Sequence, residues 1–302
     1  MGVPTGTFQT YQAIGNREDL IDVITNIDPV DTWFTSNSGT ARATNRYHEW
    51  QTDALAAAAA NIVIEGDDAA NVAVVPTVRT GNYCQILRKV FQVSDTQEAV
   101  NKAGRDSELS YQTQKVMREL ARDIEYALVI NSASASGASA TARQSLGVNG
   151  WITTNVTTGT GTGNEALTET MINDNLQLIW AAGGKPQTML MGGAQKRALS
   201  GLYTTSRISN IAADEKSIVS AVDVFVSNFG TLQARIHQQM HATLPSVIIV
   251  IGDMSLWNKG WLRPIKMETL ARTGAATKRM IEAELTLESR QEKGSGKITQ
   301  LS

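Results

Sequence analysis

"HEWQTDALAAAAANIVIEGDDAANVAVVPTVRTGNYCQI", residues 48–86, decides how this chain is read. Its flanks, Ala43 to Thr52 and Val74 to Val93, carry Val, Ile, Tyr, Phe and Trp at strand-like density. Between them stand a run of alanines and an acidic glycine turn, Glu65-Gly66-Asp67-Asp68. The simplest geometry is a long hairpin with an elaborate tip. The apolar tip positions then need a surface that the hairpin itself does not supply.

Downstream, Ser94-Asp95-Thr96-Gln97 reads as a capping box, and a helical pattern follows it to Asn131. Met117, Leu120, Ala121, Ile124, Ala127 and Leu128 share one face, with Glu119, Arg122 and Glu125 spaced to pair on another. Unbroken, such a helix is about 55 Å long at roughly 1.5 Å per residue. Gly104 is the place for a bend or interruption. The apolar positions before Met117 keep no heptad spacing, so a spine lying across a sheet fits better than a coiled coil.

Small-residue segments beginning at Ser132 and Asn155 read as loops, bracketing a short β-like piece around Trp151 and Ile152. A second helix starts at Thr168 and ends at Gly183-Gly184, followed by a strand, "QTMLM", and a helix from about Ala194 to Tyr203. The last third is mostly β. Val222, Val224 and Val226 predict one buried face of a hairpin that resumes at Leu232, Ala234 and Ile236. "SVIIVIGD" is apolar at both parities, as a central strand is. Ile281, Ala283, Leu285 and Leu287 opposite Glu282, Glu284 and Glu288 predict a half-exposed strand. Upstream of the hairpin, residues 1–42 form a polar arm with one short helix that Asn16 caps and Pro29 ends. No internal repeat is visible.

At 302 residues, 42% hydrophobic and 19% charged, the chain has the composition of a globular protein able to bury a large core. Its formal net charge of −2 provides no broad basic field for phosphate backbones. Cys84 is the sole cysteine, which excludes an internal disulfide and a thiolate cluster. The opening "MGVPTG" carries neither a secretion signal nor a myristoylation signal, since Gly6 stands where the latter needs Ser or Thr. The nearly apolar run from Ala54 to Ile64 is far shorter than the roughly 18–20 residues that cross a bilayer. No membrane role is implied.

Catalytic signals are thin. Gly161 to Ala166, "GTGNEA", has the spacing of a dinucleotide loop ahead of a helix, but no acidic residue follows the next strand, "TMLM". An α/β nucleotide-binding enzyme using Gly159 to Gly163 is the rival from another class. His237 and His241 are four apart, as metal ligands on a helix are, yet the segment reads as strand, with both histidines partly exposed. His48 beside Glu49 lacks a nucleophile and a third partner. Glu65, Asp67 and Asp68 lack calcium-loop spacing; at the end of a projecting hairpin they suit contact with basic residues of another subunit. Asn155 opens a glycosylation-like triplet, read as chance. No catalytic, cofactor-binding or metal residues are assigned.

The order of parts resembles the major capsid proteins of tailed phages, the HK97-type fold. The resemblance spans nearly the whole chain. It is most specific in "REDLIDVITNIDPVDTWF" (17–34), "HEWQTDALAAAAANIVIEG" (48–66), "QILRKVFQVSDTQEAV" (85–100) and "ELARDIEYALVINS" (119–132). It implies an α+β protein with an N-terminal arm (1–42), an extended loop (43–93), a peripheral domain with a spine helix (94–167), an axial domain (168–250), and a return to the peripheral domain with a tail (251–302). It implies that Trp50, Leu55, Ile62, Ile64, Glu65, Asp67, Asp68 and Arg79 contact a neighbouring subunit, while Met117, Leu120, Ile124 and Leu128 form the core face of the spine.

The partners so implied are many copies of the chain itself, as pentamers and hexamers, and packaged double-stranded DNA bound without sequence specificity. Portal and decoration proteins are further implied partners. The location implied is the virion, assembled in the host cytoplasm. Some members link a loop lysine covalently to a neighbour's asparagine, but no lysine occurs between Ala43 and Arg88, so no such link is expected. Others begin with a removable scaffolding segment of about a hundred residues; this chain enters its arm almost at once, which implies a separate scaffolding protein or none. A bacterial nanocompartment shell shares the fold and is the nearer alternative.

Overall fold

A computed structural model of the protein describes residues 32–69, 71–159, 164–202 and 223–302. The expected arm helix after Asn16 lies outside the described residues, as does Val222. The described chain begins with a short helix α1 (Trp33–Asn37) and strand β1 (Gly39–Arg42). The hairpin strands β2 (Tyr47–Thr52) and β3 (Val78–Tyr83) follow, then β4 (Gln85–Ser94).

Ser94 caps the next helix, accepting from the Gln97 N–H, but that helix, α2 (Asp95–Ala99), stops after five residues. The long helix α3 (Glu108–Val129) starts afresh with Ser107 as its N-cap, accepting from the Ser110 N–H. The expected continuous spine from residue 94 is therefore two helices. Gly104 lies between them at φ +74°, a left-handed conformation that a β-carbon disfavours. At 22 residues, α3 is about 33 Å long.

A four-stranded sheet in the order β1-β10-β11-β4 is built from β10 (Trp257–Thr269), β11 (Ala276–Ser289) and the two earlier strands. The helix α3 lies across it. Its buried ridge is Val116, Leu120, Ile124 and Leu128, packed against Ile281, Ala283, Leu285 and Leu287 of β11. Met117, expected on that face, is 49% exposed, because the ridge runs through its neighbour Val116 at four-residue steps to Leu120 and Ile124. Lys89 of β4 pins the solvent flank of the helix through Asp123 at 2.9 Å and Glu119 at 3.8 Å.

Helix α4 (Val148–Trp151) stands where a β-like piece around Trp151 and Ile152 was expected. Then come β5 (Val156–Thr158), α5 (Glu169–Ala181), β6 (Thr188–Met191), α6 (Gly193–Leu202), β7 (Val224–Ser227), β8 (Gly230–Ile236), α7 (Gln238–Thr243), β9 (Ile248–Ile251) and finally β12 (Gly296–Thr299). A six-stranded sheet has the order β5-β12-β9-β6-β8-β7. The last strand thus joins this second sheet, while β11 lies in the first.

β9 is buried along its whole length, as its apolar parity requires. Ile249 and Ile251 face the cluster shared with α3, while Ile248 and Val250 face the cluster under α5. In β7 the inward residue is Phe225, and Val224 and Val226 point to solvent. The register is opposite to the expected one because Phe225 completes the cluster of Leu232 and Ala234.

Candidate assembly interface

The hairpin leaves the body as β2 paired antiparallel with β3, from Tyr47 opposite Tyr83 to Thr52 opposite Val78. Tyr47 and Tyr83 stack with centroids 4.6 Å apart, and Glu49 pairs with Arg79 at 3.0 Å. Beyond Thr52 and before Val78 no strand forms among the described residues. The tip turns at Gly66, φ +83°, with the Asp67 N–H donating to the Ile64 carbonyl at 3.1 Å.

Along that excursion the apolar side chains face solvent. Leu55 is 99% exposed, Ile62 87% and Ile64 80%, and Val72, Val74 and Val75 are similarly bare. Glu65, Asp67 and Asp68 are exposed beside them. Arg79 is exposed at the hairpin's root and already holds Glu49. Trp50 is different: it is half-buried, with its ring 5.4 Å from that of Trp151, so it braces the hairpin against its own body. The structure therefore gathers six of the eight expected contact residues on the protruding excursion and seats the other two, Trp50 and Arg79, at its root.

Residues that sequence reasoning missed fix the root of the hairpin. Asn82 is 1% exposed, and its Nδ2 donates to the Leu146 carbonyl (2.9 Å), the Leu287 carbonyl (2.9 Å) and Ser145 Oγ (3.1 Å). Its Oδ1 accepts from the N–H groups of Leu146 and Tyr83. Nearby, His48 Nε2 meets Glu288 Oε2 at 3.4 Å. The expected half-exposed face of β11 is covered too. Glu284 is buried between Arg143 and Arg263, whose Nε lies 2.8 Å away, and Glu288 is held by Arg290 at 2.9 Å.

Cys84, beside Asn82, is buried. Burial pushes its thiol from 9.0 up to about 11, with the Glu284 charge adding to the rise and Arg143 opposing it. The native thiol thus stays protonated while an unfolded one ionises, so stability falls as pH rises from 9 towards 11. The slope attributable to Cys84 is about 1.4 kcal/mol per pH unit. Urea unfolding of wild type and Cys84→Ala at pH 8, 9, 10 and 11 checks this: the wild type loses stability faster than the variant over that window. Parallel curves would refute it.

His237 and His241 do not form a metal pair or sit on a strand. His237 is fully buried and caps α7 through Nδ1, which accepts from the Met240 N–H; His241 is exposed on that helix. Among the described residues no group of three His, Cys, Asp or Glu side chains is placed to hold a metal ion. No helix among them is long and apolar enough to cross a membrane. Asn155 is buried, its Nδ2 donating to the carbonyls of Lys293 and Ser295, which removes it as a glycosylation acceptor. Residues 160–163 of the glycine loop that begins at Gly159 lie outside the described residues.

A helix laid over a four-stranded sheet, a second sheet between two apolar clusters, and a projecting hairpin are the parts that the resemblance to HK97-type shell proteins implies. The capsid of Cyanophage A-1(L) is similar with a TM-score of 0.69 and 11% identity, covering 97% of this chain and 98% of that one. The capsid of Myoviridae Phage XM1 is similar with a TM-score of 0.66 and 11% identity over 99% and 100% of the two chains. The SrpI encapsulin of Synechococcus elongatus PCC 7942 shares the fold at a TM-score of 0.61 and 7% identity, over 95% and 92%. Among curated proteins, the major capsid protein of Escherichia phage Phieco32 is 26% identical, over 98% of this chain and 97% of its own. Residues 3–302 match the SU10 major capsid protein family, and the chain belongs to it. It is a structural protein, not an enzyme, and copies of it form the icosahedral phage capsid. The nucleotide-binding reading of Gly159 to Gly163 is thereby set aside.

Proposed function

We propose that the extended loop is the main joint of the shell: Leu55, Ile62 and Ile64 dock on an adjacent copy, and Glu65, Asp67 and Asp68 fix the register against basic residues there. The observation that carries this reading is the bare apolar row on an element that its own body does not cover. Burial is worth about 25 cal/mol per Å², and each subunit in a closed shell is held by several neighbours at once, so modest contacts suffice. Arg79 orders the root from which the loop leaves. The helix α3 with the four-stranded sheet serves as the peripheral domain, and the six-stranded sheet as the axial domain around which pentamers and hexamers close.

The shell encloses double-stranded DNA without reading its sequence, which suits a chain of formal net charge −2. Assembly takes place in the host cytoplasm, where scaffolding, portal and decoration proteins act with this chain to complete the head. Negative-stain microscopy of the purified full-length chain tests the joint: closed shells are expected as protein concentration rises. Only small discrete species under all conditions would overturn it. DNA inside particles from producing cells supports the head, whereas a packaged enzyme would support a nanocompartment.

A further inference from the structure

The arm, the spine helix and the second sheet meet at one carboxylate. Glu125 of α3 is fully buried, and four donors converge on it. The Phe34 N–H reaches Oε1 and the Thr35 N–H reaches Oε2, both at 2.7 Å, and the Thr35 hydroxyl adds a short bond to Oε2. His237 Nε2 lies 3.0 Å from Oε1. Because His237 Nδ1 accepts from the Met240 N–H, Nε2 is the proton-bearing nitrogen.

The helix α1 has no cap of its own, since the Thr32 side chain makes no capping bond. Glu125, some ninety residues away, satisfies the orphan N–H groups of its first turn. Lys259 of β10 closes the other end, donating to the carbonyls of Thr35 (2.7 Å) and Ser38 (2.9 Å). Phe34 anchors the helix in the core against Trp257, with ring centroids 6.4 Å apart. On the far side, the same Glu125 oxygen that holds Phe34 holds the residue capping α7.

We propose that Glu125 is a coupling device: seating of the arm helix α1 and seating of α7 share one carboxylate, so displacing either loosens the other. A buried carboxylate stripped of donors on one side is left poorly solvated, and it relieves that by moving. In a shell, a neighbouring copy that draws the arm outward would thus unload α7, the helix that follows β8 of the six-stranded sheet. Such coupling is reciprocal.

Hydrogen exchange on the full-length subunit tests it in both directions. His237→Asn keeps an acceptor for the Met240 N–H, Asn being a good N-cap, but is too short to reach Glu125. Exchange at residues 33–38 is expected to rise at least tenfold in this variant. Thr35→Val with Lys259→Met weakens only the arm's side, and the His241 and Leu244 amides, bonded to the His237 and Met240 carbonyls, are expected to exchange at least fivefold faster. Protection of β9 should stay unchanged in both. Loosening confined to the mutated element overturns the proposal, and so does equal loosening of β9, which would make Glu125 an ordinary member of the core.

Discussion

Full-length protein carrying Ile62→Asp and Ile64→Asp is expected to stay unassembled under conditions where the wild type forms shells. Both isoleucines stand more than three-quarters exposed on the loop, so the substitution removes nothing the lone subunit uses. On assembly the balance reverses. Each isoleucine forfeits about 1.5–3 kcal/mol of burial, and each aspartate brings a charge that must be desolvated against apolar surface. The loss recurs at every loop of a closed particle, so a per-subunit deficit of a few kcal/mol is multiplied across the shell. Sedimentation velocity should show the shell fraction falling at least tenfold. Urea unfolding of the subunit should move by no more than about 0.5 kcal/mol, as for a surface change. Shells in wild-type yield would remove the loop from the joint and leave the fold untouched.

The hairpin was legible because its signals are local: β-rich flanks on either side of a small-residue and acidic excursion. β9 was legible for a similar reason, since an apolar residue at both parities leaves little choice but a doubly covered strand. What escaped was set by distant partners. Glu284 and Glu288 alternate with apolar residues as solvent-facing positions do, but arginines from residues 143, 263 and 290 bury them. The register of β7 offered valines on one face and Phe225 on the other, and only the cluster of Leu232 and Ala234 decides between them. His237 became a cap because Glu125, 112 residues earlier, holds its second nitrogen. The break at Gly104 was within reach, since Ser107 followed by Glu108 is itself a cap signal. Sequence thus exposed the projecting element, and hid the polar anchors that hold its root.

Asn82→Ala should be the most damaging single polar change at the hairpin's root. Asn82 uses both halves of its amide, three donor contacts and two acceptor contacts, to join β3 to the 145–146 loop and to β11. Alanine leaves the Leu146 N–H and the Leu287 carbonyl short of partners in a buried site, where each unsatisfied group costs about 1–3 kcal/mol. A loss of about 3–4 kcal/mol in urea unfolding is therefore expected. Asn82→Asp keeps the acceptor side but sets a carboxylate against the Leu146 and Leu287 carbonyl oxygens, so it should fare no better than alanine. The consequence for assembly is separate from that of the loop variant. Ile62→Asp with Ile64→Asp spoils the surface proposed to dock, whereas Asn82→Ala frees the stem that carries it, so protease cleavage at the hairpin should rise in the unassembled subunit before any shell is scored. Wild-type stability together with wild-type cleavage would mean that the β2–β3 pairing and the Trp50–Trp151 contact alone hold the stem. The aim of the loop would then be set by strand register and not by this amide.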